Sequence, residues 1–457
     1  MKLTPFNPLS RLLCILTCLG VSAAAYANGS LALPELIFPQ LKPILAQATT
    51  QSPRMLARNL DLMVAEGDLL QARSGLYPSV NGFYQISNTR DQRQDLPNAT
   101  LVTDKTYYNL SLTQPVFHWN ERRNNARIGA LRKKIADEQY AEAYQILAQE
   151  IRSTYLQLII KKNHVANTRN AMNLADSALA LAQDKLAKKV TTEALVSQTQ
   201  IENDQAHLGL DYAELEFAQL KQTFASLTGQ PAPQDAAIPD EIYNLPSSQD
   251  EIARILAGFL AQKEPETRTA SIMRKQVEVE DLNYRNSRKR LLPKFNFVAG
   301  MNQDEQSYTA NLAAKYGIQS KFVGLQTTWN IFDGFATRGA IKSSLARKRQ
   351  MEQNYQLFTE SIGRDAQNAA KQADLAYRQM QINDRVMISS LNFLQYRQDD
   401  FKRGLASESD VAGAEATYKA TFANAITSRY NYLMRVTEFV ALLGQDPAVM
   451  QVAPSDS

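Results

Sequence analysis

The chain is a tandem duplication, and this feature constrains its fold more than any other. A shift of 215 positions superimposes residues of the first half on identical residues of the second half. The pairs include Arg73 with Arg288, Pro78 with Pro293, Phe117 with Phe332 and Tyr140 with Tyr355. Because one offset serves the whole length, both halves contain the same parts in the same order. Any fold must therefore be built from two similar sequence repeats.

The segments outside the two units are identified by composition. Residues 1–27 have two basic residues, an apolar run too short to span a bilayer, and a small-x-small cleavage pattern, which together predict a signal peptide. Proline and acidic residues predict a linker between the units. The expected segments after the signal peptide are a first repeat (28–230), a linker (231–248), a second repeat (249–447) and a polar tail (448–457).

The predicted leader contains both cysteines of the chain, Cys14 and Cys18. Neither follows the small residue that a lipoprotein signal places before its cysteine, so no lipid anchor is expected. The mature protein would be exported and yet have no disulfide. The net charge of +4 gives no basic field that would indicate nucleic-acid binding.

Each repeat contains a helical run of about seventy residues, over about 120–188 and 336–403, without proline or polar clusters. A helix of that length extends for roughly 100 Å. Apolar residues recur at steps of three and four, and a polar turn and a second helix follow each run. These patterns predict long coiled-coil hairpins rather than elements of a globule.

A shorter helix is expected before the strands of each repeat. In the first repeat it covers about 52–75, with Ser52 as N-cap and Pro53 at the first helical position. Its counterpart in the second repeat is expected over about 249–290.

Two alternating segments precede each long helix, at 77–87 and 107–117, and at 294–302 and 321–332. One apolar and one polar face are typical of a transmembrane barrel strand and equally of a soluble sandwich. Long helical rods, export without disulfides and aromatic residues near the strand ends favour the barrel. Four strands cannot close a barrel, so two or three copies would have to share one of about eight or twelve strands.

The joints between strand and helix resemble a known family. WNIFDGFATR is similar to the P-[IL]-F-D-G-G-x-x-x-R motif of the TolC family of outer-membrane channel-tunnel proteins, and QPVFHWNERR is a weaker copy. The matching residues are Ile331, Phe332, Asp333, Gly334 and Arg338 in the second joint, and Pro115, Phe117 and Arg123 in the first. The helix turn FKRGLASESDV and the closing LTGQ and LLGQ add to the resemblance, which covers nearly all of the mature chain.

The resemblance implies a mainly α fold with transmembrane β-strands. It implies a homotrimer whose chains each give four strands to one twelve-stranded barrel in the outer membrane, continuous with an α-helical coiled-coil barrel in the periplasm. The joints would be the swivels between them, with Asp333 also acting as a helix cap. The family forms passive exit ducts that dock onto a periplasmic adaptor and an inner-membrane transporter, for efflux of small molecules or type I protein secretion.

The resemblance also implies functional residues at the two helix turns. Gly404 matches the family's tip glycine, where adaptors sit, and Lys189 is its counterpart in the first repeat. Asp410 matches the first acidic residue of the entrance ring, where three carboxylates would favour cations and raise one another's pKa. The chain departs from the family at Gly413 and Ala406, where a second aspartate and a basic gate residue are common.

Two further acidic residues are candidates for the entrance. Glu193 and Glu408 occupy equivalent turn positions in the two repeats. The alternative is that both are solvated turn carboxylates without a role in conduction.

No enzyme, cofactor or metal site is predicted. The three histidines, His118, His164 and His207, lack the spacing of a metal site, and no phosphate loop or nucleophile motif occurs. The alternative to an export duct is a secreted coiled-coil scaffold or periplasmic adaptor whose strands form a soluble sandwich.

Overall fold

The structure is a computed structural model that describes residues 31–92, 100–242, 245–307 and 315–450. The predicted signal peptide lies outside the described residues, as does most of the predicted C-terminal tail. The described chain is mainly helical and contains one antiparallel sheet of four strands. None of the described helices combines the length and the hydropathy that a membrane span requires.

The chain divides into two compact units. The helical unit comprises Met1–Asn59, Tyr140–Arg268 and Phe358–Ser457, and the sheet unit comprises Leu60–Gln139 and Thr269–Leu357. Each unit therefore contains residues of both sequence repeats. The two longest helices contribute residues to both units.

The first half of the chain contains five helices and two strands in the described ranges. They are α1 (Pro34–Ile37), α2 (Leu41–Gln51), α3 (Pro53–Ser74), β1 (Ser79–Gln92), β2 (Thr100–Phe117), α4 (Glu121–Ala187) and α5 (Glu193–Thr228). A short 3₁₀ turn, Asp235–Ala237, follows.

The second half repeats this order. Its elements are α6 (Gln249–Leu260), α7 (Arg268–Arg288), β3 (Lys294–Ser307), β4 (Lys315–Thr328), α8 (Ala336–Lys402), α9 (Glu408–Leu442) and α10 (Pro447–Met450). The long helices α4 and α8 contain 67 residues each, which confirms the predicted runs. The returning helices α5 and α9 begin at the predicted turns.

The backbone follows the same 215-residue shift as the sequence. The bounds of α4 shifted by this offset are those of α8, and the bounds of β1 shifted likewise are those of β3. The left-handed residues in the described chain also form pairs at this offset: Trp119 with Gly334, Asn120 with Phe335, Lys189 with Gly404, and Gly229 with Gly444. The two halves therefore share backbone conformation even where their residues differ.

One predicted helix is wrong in its extent. The region 249–290 contains two helices, α6 and α7, separated by residues 261–267. Pro265 lies in this interval. A proline in a helix interior removes a hydrogen bond and clashes with the preceding turn, so the helix is interrupted there.

The strands also differ from the expected bounds. β1 and β2 are longer than predicted and extend into the expected polar loop, of which residues 93–99 lie outside the described part of the chain. Conversely, β4 ends at Thr328, so residues 329–332 are not strand as the alternation predicted. The alternation continues past Thr328 because the joint that follows is also rich in apolar residues.

Ser52 stands at the start of α3, as predicted, but its hydroxyl does not cap the helix. Its backbone is extended and its carbonyl accepts from the Leu56 N–H at 3.0 Å. The Ser52 side chain is buried and its oxygen has no hydrogen-bond partner. The position is therefore an N-cap by backbone geometry without the expected side-chain bond.

The core of the helical unit lies where the middle of α4 packs with α2 and α9. Its most buried large side chains include Tyr144, Ile151, Leu158, Tyr432 and Phe439. Burying each such side chain contributes about 1.5–3 kcal/mol. The proline-rich segment between the repeats also joins this core through Ile238 and Ile242, so it is a packed loop.

Candidate functional site

The sheet joins the two repeats. Its strand order is β1-β2-β3-β4, with β2 and β3 paired at the centre and β1 and β4 at the edges. The register aligns Val80, Leu112, Ala299 and Val323 in one row across all four strands. Because side chains alternate along a strand, this row lies on one face of the sheet.

The two faces of the sheet differ in polarity. The face that carries this row also carries the exposed apolar side chains of Ile86 and Leu325. The opposite face carries the paired residues Asn109 and Asn302, with Ser320 beside them. The predicted alternation in β2 is therefore confirmed. Exposed apolar side chains grouped on one face of a sheet indicate a surface that contacts protein or lipid.

The second joint, residues 329–338, connects β4 to α8. Oδ2 of Asp333 accepts from the Thr337 N–H at 2.9 Å and from the Thr337 hydroxyl at 2.6 Å. Gly334 and Phe335 follow with φ of 62° and 69°. Glycine adopts this left-handed conformation at no steric cost, whereas phenylalanine does not. Asp333 is thus the helix cap that the sequence predicted, and Gly334 makes the sharp turn.

Aromatic residues of the second joint are exposed. The rings of Phe332 and Phe335 pack edge to face with centroids 5.5 Å apart, yet both side chains remain largely accessible. The Trp329 indole N–H donates to the carbonyl of Leu291 at 3.0 Å. Arg338 lies exposed in the first turn of α8. The joint therefore presents apolar rings followed directly by a cation.

The first joint, residues 115–123, has a buried histidine in place of the aspartate. His118 is only 8% exposed, and its Nε2 lies 2.8 Å from Oδ1 of Asn296. Its Nδ1 accepts from Nε of Arg122 at 3.4 Å. Since arginine can only donate, Nδ1 is the acceptor in this contact.

Two consecutive residues of the first joint are left-handed without being glycine. Trp119 and Asn120 have φ of 54° and 67°. Each such residue costs about 1–3 kcal/mol and needs support from its surroundings. The Trp119 indole donates to the Pro293 carbonyl at 2.8 Å, and the Trp119 carbonyl accepts from Nζ of Lys289 at 3.1 Å.

The remaining predicted residues of the first joint lie beside Trp119. The ring of Phe117 packs against the Trp119 ring with centroids 4.8 Å apart. A register shift between Pro115 and Phe117 interrupts the pairing of β2 with β3. Arg123 lies exposed in the first turn of α4. The sheet unit therefore brings all the predicted residues of this joint together.

The two joints have the same contact pattern with different side chains. His118 and Arg122 occupy the positions that Asp333 and Thr337 occupy in the second joint, at the 215-residue offset. In each joint the earlier residue accepts a hydrogen bond from the later one. At these two positions the first joint therefore has a histidine and an arginine where the second has an aspartate and a threonine.

The two helix turns have matching backbones. Lys189 and Gly404 are both left-handed, with φ of 57° and 74°. In both turns the N–H of the next residue donates to a backbone carbonyl in the last turn of the long helix. The Val190 N–H donates to the Lys185 carbonyl at 2.9 Å, and the Leu405 N–H donates to the Asp400 carbonyl at 2.8 Å. This geometry normally favours glycine, so Lys189 is the strained member of the pair.

Each turn exposes an apolar side chain that sequence analysis did not identify. Val190 and Leu405 are both 74% exposed and occupy equivalent positions in the two repeats. The signal for them in the sequence was a lone aliphatic residue within a polar turn.

Asp410 forms a capping box with Ser407 at the start of α9. Its Oδ2 accepts from the Ser407 N–H at 2.8 Å and from the Ser407 hydroxyl at 2.7 Å, while its own N–H donates to the Ser407 hydroxyl. The hydrogen bonds from Ser407 lower the pKa of the Asp410 carboxyl. This direction is opposite to the rise expected for a ring of carboxylates, which requires neighbouring chains.

The other acidic candidates lie at the starts of the two returning helices. Glu193 and Glu408 are exposed and are the first residues of α5 and α9. A carboxylate in the first turn complements the partial positive charge of the helix N-terminus. The start of α5 has no capping box, because Leu195 occupies the position that Asp410 has in α9. There the Thr192 hydroxyl accepts from the Leu195 N–H without a reciprocal bond.

A buried charge cluster in the helical unit was missed by the sequence analysis. Arg152 of α4 is fully buried and binds two carboxylates in bidentate geometry. Its guanidinium donates to Glu35 at 2.9 and 2.5 Å and to Asp446 at 2.7 and 3.0 Å. The signal was an arginine within the apolar row that includes Ile151 and Tyr155.

The described residues contain no cluster of histidine, cysteine and carboxylate groups able to hold a metal ion. His118 binds Asn296 and Arg122, and His207 binds Asp176 at 2.9 Å. His164 lies on α4 in the helical unit.

The comparison with protein families decides the identity. The model of a family described as outer membrane efflux protein matches residues 44–230 and 271–445. The chain belongs to this family. Family membership confirms the resemblance and the predicted outer-membrane location, and it places the chain in a family of transport channels. No curated protein sequence matches the chain.

Solved structures of outer-membrane channels share the fold of this family member. VceC of Vibrio cholerae aligns with a TM-score of 0.67 at 15% identity, covering 91% of this chain and 98% of VceC. CmeC of Campylobacter jejuni aligns with 0.70 at 13% identity, covering 90% and 88%. The open-state MtrE channel of Neisseria gonorrhoeae aligns with 0.60 at 13% identity, covering 89% of each chain. These likenesses confirm the predicted fold class.

Proposed function

We propose that this family member is the outer-membrane exit duct of a tripartite export system, conducting substrates passively from the periplasm to the exterior. The observation that carries the proposal is the four-stranded sheet with one exposed apolar face, joined directly to two helices of 67 residues. Strands of this kind suit a bilayer, and the long helices suit a tunnel beneath it.

The duct is a homotrimer in this proposal. In the part of the sheet that the structure describes, β1 and β4 are the edge strands, and each pairs with one neighbouring strand. Backbone groups left unpaired in lipid cost several kcal/mol each, so the edges must pair with other chains. Three chains give a twelve-stranded barrel with room for a pore, whereas about eight strands are filled by their own side chains. The repeats 28–230 and 249–447, joined by 231–248, would each supply one hairpin of strands.

The two helix turns are the proposed docking site of the periplasmic adaptor. The exposed side chains of Val190 and Leu405 follow the left-handed residues Lys189 and Gly404. Exposed apolar residues on a polar turn are suited to packing against another protein. The inner-membrane transporter that works with the adaptor would supply the energy and the substrate, either small molecules or secreted proteins.

The carboxylates near these turns form the proposed periplasmic entrance. Asp410 is the principal candidate; Glu408 lies in the same first turn of α9, and Glu193 lies in the first turn of α5. Three copies of each around one axis would attract cations to the entrance. The joint residues, from Pro115 to Arg123 and from Phe332 to Arg338, are the proposed swivels between barrel and tunnel.

Membrane fractionation tests the proposal. The mature protein should stay in the outer-membrane fraction after carbonate washing and run as a heat-sensitive oligomer in SDS. In planar bilayers the purified oligomer should conduct ions. A stable, water-soluble monomer would contradict the proposal and restore the scaffold alternative.

A further inference from the structure

The first joint contains a groove that the duct function leaves unassigned. It has a volume of about 470 Å³ and lies in the sheet unit, where β2 meets α4. Its lining includes the apolar residues Pro115, Val116 and Phe117 and the basic residues Arg122 and Arg123. Val116 and Phe117 are exposed, so this apolar part of the lining is open to the surroundings.

The groove is positively charged without a compensating acid. None of the lining residues is a carboxylate. In the described chain, neither Arg122 nor Arg123 is paired with one. Glu121, their neighbour in sequence, is held by Nζ of Lys294 at 2.6 Å. The two guanidinium groups are therefore available to an anion.

His118 holds one of these arginines in place. The imidazole accepts from Nε of Arg122, and its other nitrogen is hydrogen-bonded to Asn296. The Nη groups of Arg122 remain for a ligand, and a planar guanidinium can bind two phosphate oxygens at once. An ordered arginine loses less side-chain entropy on binding than a mobile one.

We propose that this groove binds the headgroup phosphate of an anionic phospholipid in the periplasmic leaflet of the outer membrane. The arginines take the phosphate, and the lipid chain lies along Val116 and Phe117. This inference rests on the proposed barrel, since it requires the end of β2 to lie at the membrane interface, where basic residues attract anionic lipids.

The second joint is an internal comparison. At the equivalent positions it has Asp333 instead of His118 and Thr337 instead of Arg122. The Asp333 carboxylate is engaged by Thr337 and places a negative charge in the joint. The second joint is therefore expected to show little preference for anionic lipid.

The two tryptophans of the chain can report on the two joints separately. The Trp119 ring packs on Phe117, which lines the groove, and Trp329 belongs to the second joint. In Trp329→Phe, quenching of Trp119 by brominated phosphatidylglycerol is compared with quenching by brominated phosphatidylcholine. Trp119→Phe gives the same comparison for Trp329. The full-length oligomer is used, in mixed vesicles.

We expect phosphatidylglycerol to associate at Trp119 at least about fivefold more strongly than phosphatidylcholine, since one basic side chain near an anionic surface contributes about that factor. Arg122→Gln with Arg123→Gln should remove the preference. Arg338→Gln, which removes a cation from the second joint, should not. Equal quenching by both lipids at Trp119, the same preference at Trp329, or an equal loss in Arg338→Gln would overturn the proposal.

Two further measurements distinguish lipid binding from the binding of free anions and from a failure of the oligomer to assemble. Inorganic phosphate should not displace the lipid more than chloride does at the same ionic strength; if it does, the groove is a site for free anions and not for lipid. Heat-sensitive oligomers are scored in the same vesicles. Their absence would contradict the proposed duct, whereas normal oligomers without lipid preference would contradict this inference alone.

Discussion

Arg152 shows how one buried side chain can fasten distant parts of a chain. From the middle of α4 it binds Glu35, near the start of the described chain, and Asp446, near its end. Burial alone would lower the pKa of the guanidinium, but the hydrogen bonds and charges of the two carboxylates outweigh it and raise that pKa. The guanidinium is therefore charged at any accessible pH. Burial also raises the pKa of the adjacent Tyr144 hydroxyl to about 12.

Arg152→Met should destabilise the helical unit by about 3–5 kcal/mol, because it leaves two buried carboxylates without a counterion. The thermal midpoint of the purified oligomer and its protease sensitivity measure the effect. Adding Glu35→Gln and Asp446→Asn should recover part of the loss, because no uncompensated charge then remains. A triple variant less stable than Arg152→Met would contradict this role of the buried charges.

The control for Arg152 is the pair Arg54–Glu150 in the same unit. Its atoms are 2.5 Å apart, but both side chains are substantially exposed. Solvent screens such a pair, so Arg54→Gln should cost no more than about 1 kcal/mol. Similar losses in Arg54→Gln and Arg152→Met would show that burial does not determine the effect.

Asp410 allows a pH prediction. Its pKa is lowered by the hydrogen bonds from Ser407, so this cap is intact above the ordinary aspartate range and is lost as pH falls through the lowered pKa. Cation block of the single-channel current should therefore persist to lower pH in the wild type than in Ser407→Ala.

Asp410→Asn should weaken the block at every pH at which Asp410 is ionised in the wild type. Repulsion between the three Asp410 carboxylates of a trimer would raise the pKa of Asp410 in both the wild type and Ser407→Ala. The sign of the pKa difference between the two proteins would therefore stay the same. A titration midpoint that does not move in Ser407→Ala would refute the influence of the capping box, and unchanged block in Asp410→Asn would remove Asp410 from the entrance.

At the scale of the elements, the two helix turns have the same backbone conformation but should respond oppositely to substitution of their left-handed residue. Lys189→Gly should stabilise its turn by about 1 kcal/mol, since it removes a left-handed side chain. Gly404→Ala should destabilise its own turn by a similar amount. Hydrogen exchange of the amides near each turn reports both changes. Equal protection in wild type and both variants would contradict the strain argument.

A bulky residue at Gly404 should in addition impair export and leave membrane insertion intact, because the turn would be distorted where the adaptor is proposed to dock. Normal export by this variant would remove Gly404 from the docking site.

The long helices and the paired strands could be predicted because each rests on a regular pattern. Steps of three and four residues mark α4 and α8, and alternation marks β2. Asp333 could be predicted as a cap because it lies directly before a helical run. These signals are local, so they can be recognised in the sequence without knowing how the chain packs.

Other features depend on distant residues and could not be predicted. Nothing near Arg152 in the sequence indicates that Glu35 and Asp446 would neutralise it, since all three meet only in the folded core. The left-handed conformation of Trp119 is supported by Pro293 and Lys289 from the other repeat. Ser52 was predicted as a cap from residue type, but its buried hydroxyl has no partner to accept from.

At the scale of the molecule, the edges of the sheet test the number of chains. Both natural cysteines lie in the predicted leader, so the predicted mature chain has no other thiol that could react with introduced cysteines. Ile86→Cys in β1 is combined with single cysteines along residues 317–325 of β4. At the correct register, oxidation should link chains into a closed ring that runs as a covalent trimer in SDS.

The single-cysteine variant Ile86→Cys is the control and should give no ring, because β1 of one chain pairs with β4 of the next. A covalent product limited to dimers across all β4 positions would support a barrel shared by two chains and contradict the trimer.

The Arg152 cluster has a consequence for protein engineering. Because Glu35 and Asp446 bind the same guanidinium, the two ends of the described part of the chain lie within reach of a short peptide. A circular permutant that begins at the packed loop between the repeats, with the old ends fused by a short peptide, would keep every helix and strand whole. It would put the former second half first, which a chain made of two equivalent halves should tolerate.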